Sequence, residues 1–473
     1  MSTFTLAQVA ECNTTSSCWV IIRNKVYDVT DFIFNHPGGP QVIMDYAGKD
    51  ATAAFVPIHP SDTLDKYLPC EKHLGTLDEA SIRELRAANQ SKGKSRDELR
   101  VEEAVKNKPP LGRMINIQDI EEIAKKILPY KAMAYYASAA DDSISCVENA
   151  RAFSRFFFRP RVMKAVSGVD PSTTMLGYKS SIPVYISGSA LARLGHPLGE
   201  MVSSNSSLSY AQIAAARGSS EQPLLFQLYK HKNDDIAARR IREVEELGYK
   251  AICLTVDALV PSNRELDTRA SHYLEEYENE GKITRGNAAD KSGDVSTLGT
   301  AGGLIVNNDL DMTWEKTIPW IRSVTKLPIV VKGIQCVADA VLAVEAGCEG
   351  IVLSNHGGCF SYVASSLPPM EVLYKIRCER PDVFAKTEVY IDGGVRRGTD
   401  ILKALCLGAR TVGLGRAFLY AQSAYGEAGA IHLVRILERE IKFAMASLGV
   451  RTIDQLAPEL VERVDWQPLG SKL

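Results

Sequence analysis

The sequence predicts two folded units: an α+β domain over residues 1–77 and, after a linker at 78–110, an α/β domain over residues 111–473 in the form of a (β/α)8 barrel with a shortened first crossover. Three observations lead there. The chain has 473 residues, room for one small domain and one barrel-sized domain. From Leu111 onward short apolar runs alternate with helical patterns, the signature of parallel α/β architecture. Four successive late runs end in polar or glycine-rich residues, which a barrel gathers on the face where the carboxyl ends of its strands meet.

Composition narrows the function first. Lysine and arginine number 55 against 57 aspartate and glutamate, a net charge of −2 with no basic stripe, so no nucleic-acid partner is expected. Ten cysteines lie scattered without C-x-x-C spacing, which fits reduced thiols of an intracellular protein better than a disulfide framework or a zinc site. No apolar run reaches the roughly 18 residues needed to span a membrane, and the first residues lack the apolar core of a signal peptide. Ser471-Lys472-Leu473 reads as a peroxisomal address, with a mitochondrial or cytoplasmic location as the alternative.

In chain order, residues 18–22 and 25–30 read as two strands around an Arg23-Asn24 turn. Asn35-His36-Pro37-Gly38-Gly39 follows, then a helix from about Gln41, then a second histidine in Pro57-Ile58-His59-Pro60. Two histidines on separate helical hairpins, with Phe32, Val42, Phe55 and Tyr67 as apolar neighbours, are placed to clamp a flat iron porphyrin from both faces. A lone H-P-G-G is more often only a turn. Here C-W-V, Y-D-V-T, A-G-K-D-A-T (47–52) and E-K-H-L-G (71–75) accompany it in order, and the segment resembles a cytochrome b5 domain. That resemblance implies haem b with His36 and His59 as axial ligands. His73 lies outside the motif and reads as ordinary surface.

Residues 78–110 are charged and polar with no strong apolar face, and read as an interdomain linker, in part helical. Barrel strands are expected at 183–187, 224–228, 251–256, 329–332, 350–354, 388–392 and 411–415, with one more near 202–207. The polar stretch 272–308 reads as an excursion from the barrel top.

The β-branched run 350–354 ends in Ser354-Asn355-His356-Gly357-Gly358, which sets His356 where such barrels do their chemistry. A surface histidine closing a strand is the bland alternative. Lys332 ends the preceding strand, and a buried ammonium there needs an anionic partner. A reduced flavin is one such partner and a structural carboxylate another. Asp392-Gly393-Gly394-Val395-Arg396 and Gly413-Leu414-Gly415-Arg416 follow consecutive late strands. Their glycines let backbone N–H groups approach a phosphate and their arginines add bidentate charge.

With A-Y-Y-A-S (134–138), Q-L-Y (227–229), L-T-V-D (254–257), R-E (264–265), V-K-G (331–333), S-N-H-G-G and D-G-G-V-R-R-G-T-D in order, residues 111 to about 465 resemble the FMN-dependent family of L-2-hydroxy acid oxidases and dehydrogenases. A cytochrome b5-like domain in front is the arrangement of the flavocytochrome b2 family, cytochrome-linked L-lactate dehydrogenases. The resemblance implies oxidation of a small L-2-hydroxy acid to the 2-keto acid, with FMN as first acceptor and single electrons passing to haem b. It also implies a final acceptor, a cytochrome c-like protein or oxygen, and a homo-oligomer, a tetramer in the family. Position by position, His356 is implied as the base and Asp257 as the group stabilising its imidazolium. Tyr229 is implied at the substrate hydroxyl, Tyr135 at its carboxylate, and Arg264 as a second positive charge at the rim of the site. Lys332 is implied beside the anionic flavin, with Gln227, Thr255, Ser207 and Ser354 at its ring and Asp392, Gly393, Gly394, Arg396, Gly415 and Arg416 around its phosphate.

Two departures accompany the match. Where the family continues after H-G-G with an arginine that clamps the substrate carboxylate, this chain has Cys359, followed by Phe360-Ser361-Tyr362. A thiol cannot replace a charge-assisted pair. Also, His196-Pro197-Leu198-Gly199-Glu200 runs almost at once into the second strand, which leaves the first barrel helix abbreviated or absent. An alternative function class follows from these: a weakly active or non-catalytic protein that binds flavin and haem and carries electrons.

Overall fold

The computed structural model describes residues 2–36, 40–56, 59, 63–91, 93–188, 198–206, 208–218, 222–279, 305, 307–359 and 365–464. In the N-terminal unit five strands form one sheet in the order Ser2–Phe4, His73–Leu77, Lys25–Asp28, Ser17–Ile22, Asn13–Thr14. The expected hairpin is present, with Trp19 opposite Asp28, and its two-residue turn is Arg23-Asn24 at φ 52° and 64°. Such a turn matches the right-handed twist of the strands it joins. One sheet face buries Cys18, Val20, Ile22 and Tyr27 against Ile33 and Leu68. The other buries Val9, Ile21, Val26 and Leu77, with Ile82 and Leu85 of the helix Glu79–Ser91 packed on it. His73 is half-buried rather than plain surface, edge-on to the Tyr27 ring at 5.1 Å.

The expected linker holds two helices, Glu79–Ser91 and Arg96–Lys106. The second starts at a capping box between Ser95 and Glu98. Its polar residues serve tertiary contacts: Arg100 donates to the carbonyls of Lys126 and Leu128, and buried Asp97 accepts from the Tyr130 N–H.

Eight parallel strands close into a barrel: Val184–Ile186, Gly199–Ser203, Leu224–Leu228, Ala251–Thr255, Ile329–Ile334, Gly350–Leu353, Glu388–Asp392 and Thr411–Leu414. Side chains alternate, as strands require. Tyr185, Met201, Leu225, Cys253, Val330, Val352 and Tyr390 fill the interior, while Ile186, Val202, Phe226, Ile252, Val331, Ile351 and Ile391 meet the outer helices. This period of two fixes the site. Two residues beyond each interior apolar side chain, on the same face and at the carboxyl ends, come Ser187, Ser203, Gln227, Thr255, Lys332, Ser354 and Asp392.

The second strand lies earlier than the 202–207 expected from sequence. Glu200, 2 % exposed, interrupts the apolar run and disguises the strand, while the serines that follow make the turn after it. Residues 187–198 alone join the first strand to the second, and 189–197 among them lie outside the described residues. That length is at the lower limit for a parallel crossover with its helix.

Candidate active site

At the barrel mouth the fourth, fifth and sixth strands deliver Asp257, Lys332 and Ser354–His356. Asp257 accepts from Lys332 Nζ through one oxygen, at 2.8 Å, and lies 2.8 Å from His356 Nδ1 through the other. Lys332 also donates to Ser354 Oγ at 2.9 Å, and that oxygen accepts from the His356 N–H at 3.0 Å. Burial alone would push the Asp257 carboxyl up. The Lys332 ammonium and then His356 outweigh it and hold the carboxyl well below the usual carboxylate range. Burial likewise works against the charge on Lys332, but Asp257 and Asp392 keep it an ammonium. A permanently ionised Asp257 only accepts, so His356 carries its proton on Nδ1 and presents the Nε2 lone pair to the chamber. The backbone of His356 is left-handed, φ 54°, a strained conformation for a residue with a Cβ.

Tyr229 ends the third strand, its hydroxyl 3.4 Å from His356 Nε2 and accepting from Gln227 Nε2 at 3.1 Å. Burial, then the Asp257 charge, push the phenol well above its ordinary value, so it is a neutral donor. Tyr135 lies under Arg264, whose guanidinium sits 4.9 Å above the ring and bonds the Tyr135 carbonyl. Arg264 is 4 % exposed, so it is not at the open rim where sequence placed it. Cys359 donates weakly to the Ser138 carbonyl at 3.4 Å and packs with Tyr135, Tyr229, Ala258 and Ile305. This cluster lies beside His356: the Cys359 N–H donates to the His356 carbonyl at 3.1 Å. Sequence reasoning left out Ala258 and Ile305, since nothing local marks a small or aliphatic residue as chamber lining.

Gly393 and Gly394, φ 89° and 81°, end the seventh strand. A Cβ on Gly394 would stand 2.3 Å from the Asn149 carbonyl carbon, so only glycine fits. Gly415 caps the helix Arg416–Leu448, whose first N–H groups face the same side. Arg416 donates to the Gly357 carbonyl at 2.8 Å and to Cys146 Sγ at 3.1 Å. Arg396 is turned away, paired with Glu121 at 2.9 Å. Ser187, given no role from sequence, donates to Asp392 at 2.7 Å. Ser207 lies outside the described residues. Gln227 Oε1, Thr255 Oγ1 and Asp392 Oδ1 are buried with no hydrogen-bond partner among the described residues. Orphaned acceptors around a cationic lysine, below a glycine cradle and a helix N-terminus, fit a flavin ring with a phosphate tail.

In the N-terminal unit His36 and His59 face each other, ring centroids 5.9 Å apart and tilted by 43°. Phe55 stacks on His59 at 4.2 Å, and Phe32 meets His36 edge-on at 5.9 Å. The Phe55 carbonyl lies 3.1 Å from His59 Nδ1, which fixes the proton there and aims Nε2 at the gap. Burial lowers the His59 pKa and keeps the ring neutral, as a metal ligand must be. The donor set fits haem iron. The side chain of Tyr67 lies outside the described residues.

Comparison with known proteins agrees with both halves. The FMN-dependent dehydrogenase family matches residues 124–463, and the cytochrome b5-like heme/steroid binding domain family matches residues 5–78. The chain is 42 % identical to an L-lactate dehydrogenase (cytochrome) of Wickerhamomyces anomalus and 40 % identical to one of Saccharomyces cerevisiae, each over 96 % of this chain and 79 % of the relative. The recombinant flavin-binding domain of baker's yeast flavocytochrome b2 superposes with a TM-score of 0.69 at 36 % identity, covering 80 % of this chain and 95 % of that one. A mandelate oxidase with benzoyl-formic acid gives 0.60 at 29 % identity, over 74 % and 98 %.

Proposed function

This chain belongs to the FMN-dependent dehydrogenase family, and from that premise we propose how its residues divide the work of an L-2-hydroxy acid dehydrogenase with FMN in the barrel and haem b in the N-terminal domain. FMN, when bound, supplies the two-electron acceptor, and haem b relays single electrons from it. The rest is the chain's own chemistry. His356 Nε2 takes a proton from the substrate. The imidazolium that forms is stabilised by Asp257, whose charge is already fixed by Lys332. Tyr229, a neutral phenol beside Nε2, orients the substrate hydroxyl. Tyr135 and Arg264 form the polar side of the chamber, where the carboxylate binds. Gln227, Thr255, Ser354 and Lys332 would hold the flavin ring, and Gly393, Gly394, Gly415 and Arg416 its phosphate. Arg396 reaches that phosphate only by leaving Glu121. His36 and His59 would ligate the haem iron.

The bridge from Lys332 through Asp257 to His356 carries this reading. Mixing the protein anaerobically with L-lactate and other short L-2-hydroxy acids tests it. Bleaching of the flavin band is expected, and a spectrum that stays oxidised with all of them overturns it.

The substrate class follows from the wall at Cys359. With Cys359 rather than an arginine among Tyr229, Ala258 and Ile305, the chamber favours a substrate bulkier or less charged than lactate. The mandelate oxidase relative is named for a bulky substrate of that kind. Ser471-Lys472-Leu473, outside the described residues, supports a peroxisomal address. The relatives include a peroxisomal (S)-2-hydroxyacid oxidase of Arabidopsis thaliana, 35 % identical over 73 % of this chain and 96 % of its own length. Oxygen is then the proposed final acceptor, a cytochrome c-like protein the alternative, and the assembly a homo-oligomer. A tagged chain whose location ignores deletion of the tripeptide refutes the address.

A further inference from the structure

The helix Ile144–Phe153 touches neither substrate nor flavin ring in the scheme above, yet it lies between the two loops that matter most. One is the turn that carries His356. A Cβ on Gly358 would stand 2.5 Å from the backbone nitrogen of Cys146, so helix and turn meet backbone to backbone. The other is the glycine loop after the seventh strand. A Cβ on Gly394 would stand 2.3 Å from the Asn149 carbonyl carbon, and one on Gly393 would stand 3.2 Å from Asn149 Nδ2. A single side chain spans the gap. Asn149 Nδ2 donates to Asn355 Oδ1 at 2.7 Å, and Asn355 Nδ2 donates back to Asn149 Oδ1 at 2.8 Å. The two residues are 1 % and 0 % exposed.

A reciprocal amide pair needs one donor and one acceptor from each partner in a fixed plane. It therefore specifies orientation as well as distance. Asn355 immediately precedes His356, whose left-handed backbone must be held by its surroundings. We propose that Asn149 is a positioning residue for the base: it locks the Asn355–His356 turn so that Nδ1 meets Asp257, and it couples that turn to the Gly393–Gly394 loop. The proposal rests on His356 being the base. It makes occupancy of the phosphate loop and alignment of the base one event, because both loops close on the same helix. Asn149 acts through Asn355 and touches no reacting atom.

Replacement by aspartate separates positioning from packing. A protonated carboxyl offers one O–H donor and one carbonyl acceptor, the same pattern as an amide, whereas a carboxylate only accepts. The flavin-reduction rate of the FMN-loaded full chain, measured from about pH 6 to about pH 9 and divided by the wild-type rate, cancels His356, Cys146, Arg416 and Asp392, which both proteins share. N149D is expected near wild type at the acid end and at least about tenfold slower at the alkaline end, while N149A is about tenfold slower throughout. The loss should fall on kcat rather than KM. N355D, the mirror change, should show the same pH signature. A rate ratio for N149D and N355D that stays flat with pH overturns the proposal, and so does failure of both to fold even at the acid end. H356Q keeps the two readings apart: if it reduces flavin as fast as wild type, the base assignment fails. If it is inactive while N149D is flat, only the positioning role fails.

Discussion

Asp257 holds one carboxylate oxygen 2.8 Å from Nδ1 of His356 with its side chain wholly buried, so the base is oriented by a charge that water does not screen. Replacing Asp257 with asparagine keeps the shape but removes the anion and permits the wrong imidazole tautomer. Flavin reduction by D257N should slow by about a thousandfold or more. Lys332 would lose its nearer carboxylate and keep only Asp392 at 3.8 Å and Ser354, so thermal or urea unfolding should show a loss of roughly 3 kcal/mol. The pH sign follows from the depressed carboxyl: its stabilisation is full above the unfolded carboxyl's value of about 4 and is lost as pH falls through the lower folded value. D257N should therefore lack that part of the acid limb. A variant as active as wild type would remove the bridge from the mechanism.

Cys359 stands where the family resemblance implies an arginine, packed with Tyr135, Tyr229, Ala258 and Ile305 and within electrostatic reach of Arg416. Cys359→Arg should lower KM for L-lactate and raise kcat/KM by about tenfold to a hundredfold. The same change should reduce the preference for L-2-hydroxy acids with larger apolar side chains. Steady-state rates with both substrate types check it. No gain with lactate would mean that Arg264, over the Tyr135 ring, already supplies the charge.

In the N-terminal domain, His59→Ala in the full chain should abolish the low-spin haem spectrum and leave the flavin band in place. The histidines lie on a unit with its own buried core. Retention of the reduced haem bands would move the ligand elsewhere.

How much of this was readable beforehand depended on whether local sequence or distant contact decides each residue. Lys332 and Asp392 were legible as the polar ends of apolar strands, and Gln227, Thr255 and Ser354 through the family resemblance; strand periodicity explains why all five share one face. The second strand slipped because Glu200 broke an apolar run that tertiary packing nonetheless buries. The linker was read as in part helical, but the tertiary role of the helix Arg96–Lys106 was hidden by its polarity, since the carbonyls of Lys126 and Leu128 satisfy Arg100. Arg264 and Arg396 were expected to face ligands. Their partners, Tyr135 and Glu121, are supplied by other elements, and no spacing rule reveals them. Asn149 was invisible for the same reason: an asparagine inside a helix announces nothing until Asn355 is opposite it.

The left-handed backbone at His356 sets catalysis against ease of folding. Asparagine tolerates that conformation better than histidine, and glycine adopts it freely, so either would relieve about 1 kcal/mol of strain while deleting the base. Mutational drift at this codon thus gains stability while it loses function. In a lineage released from selection for hydroxy acid oxidation, this histidine should be among the first residues to decay, ahead of the barrel that carries it.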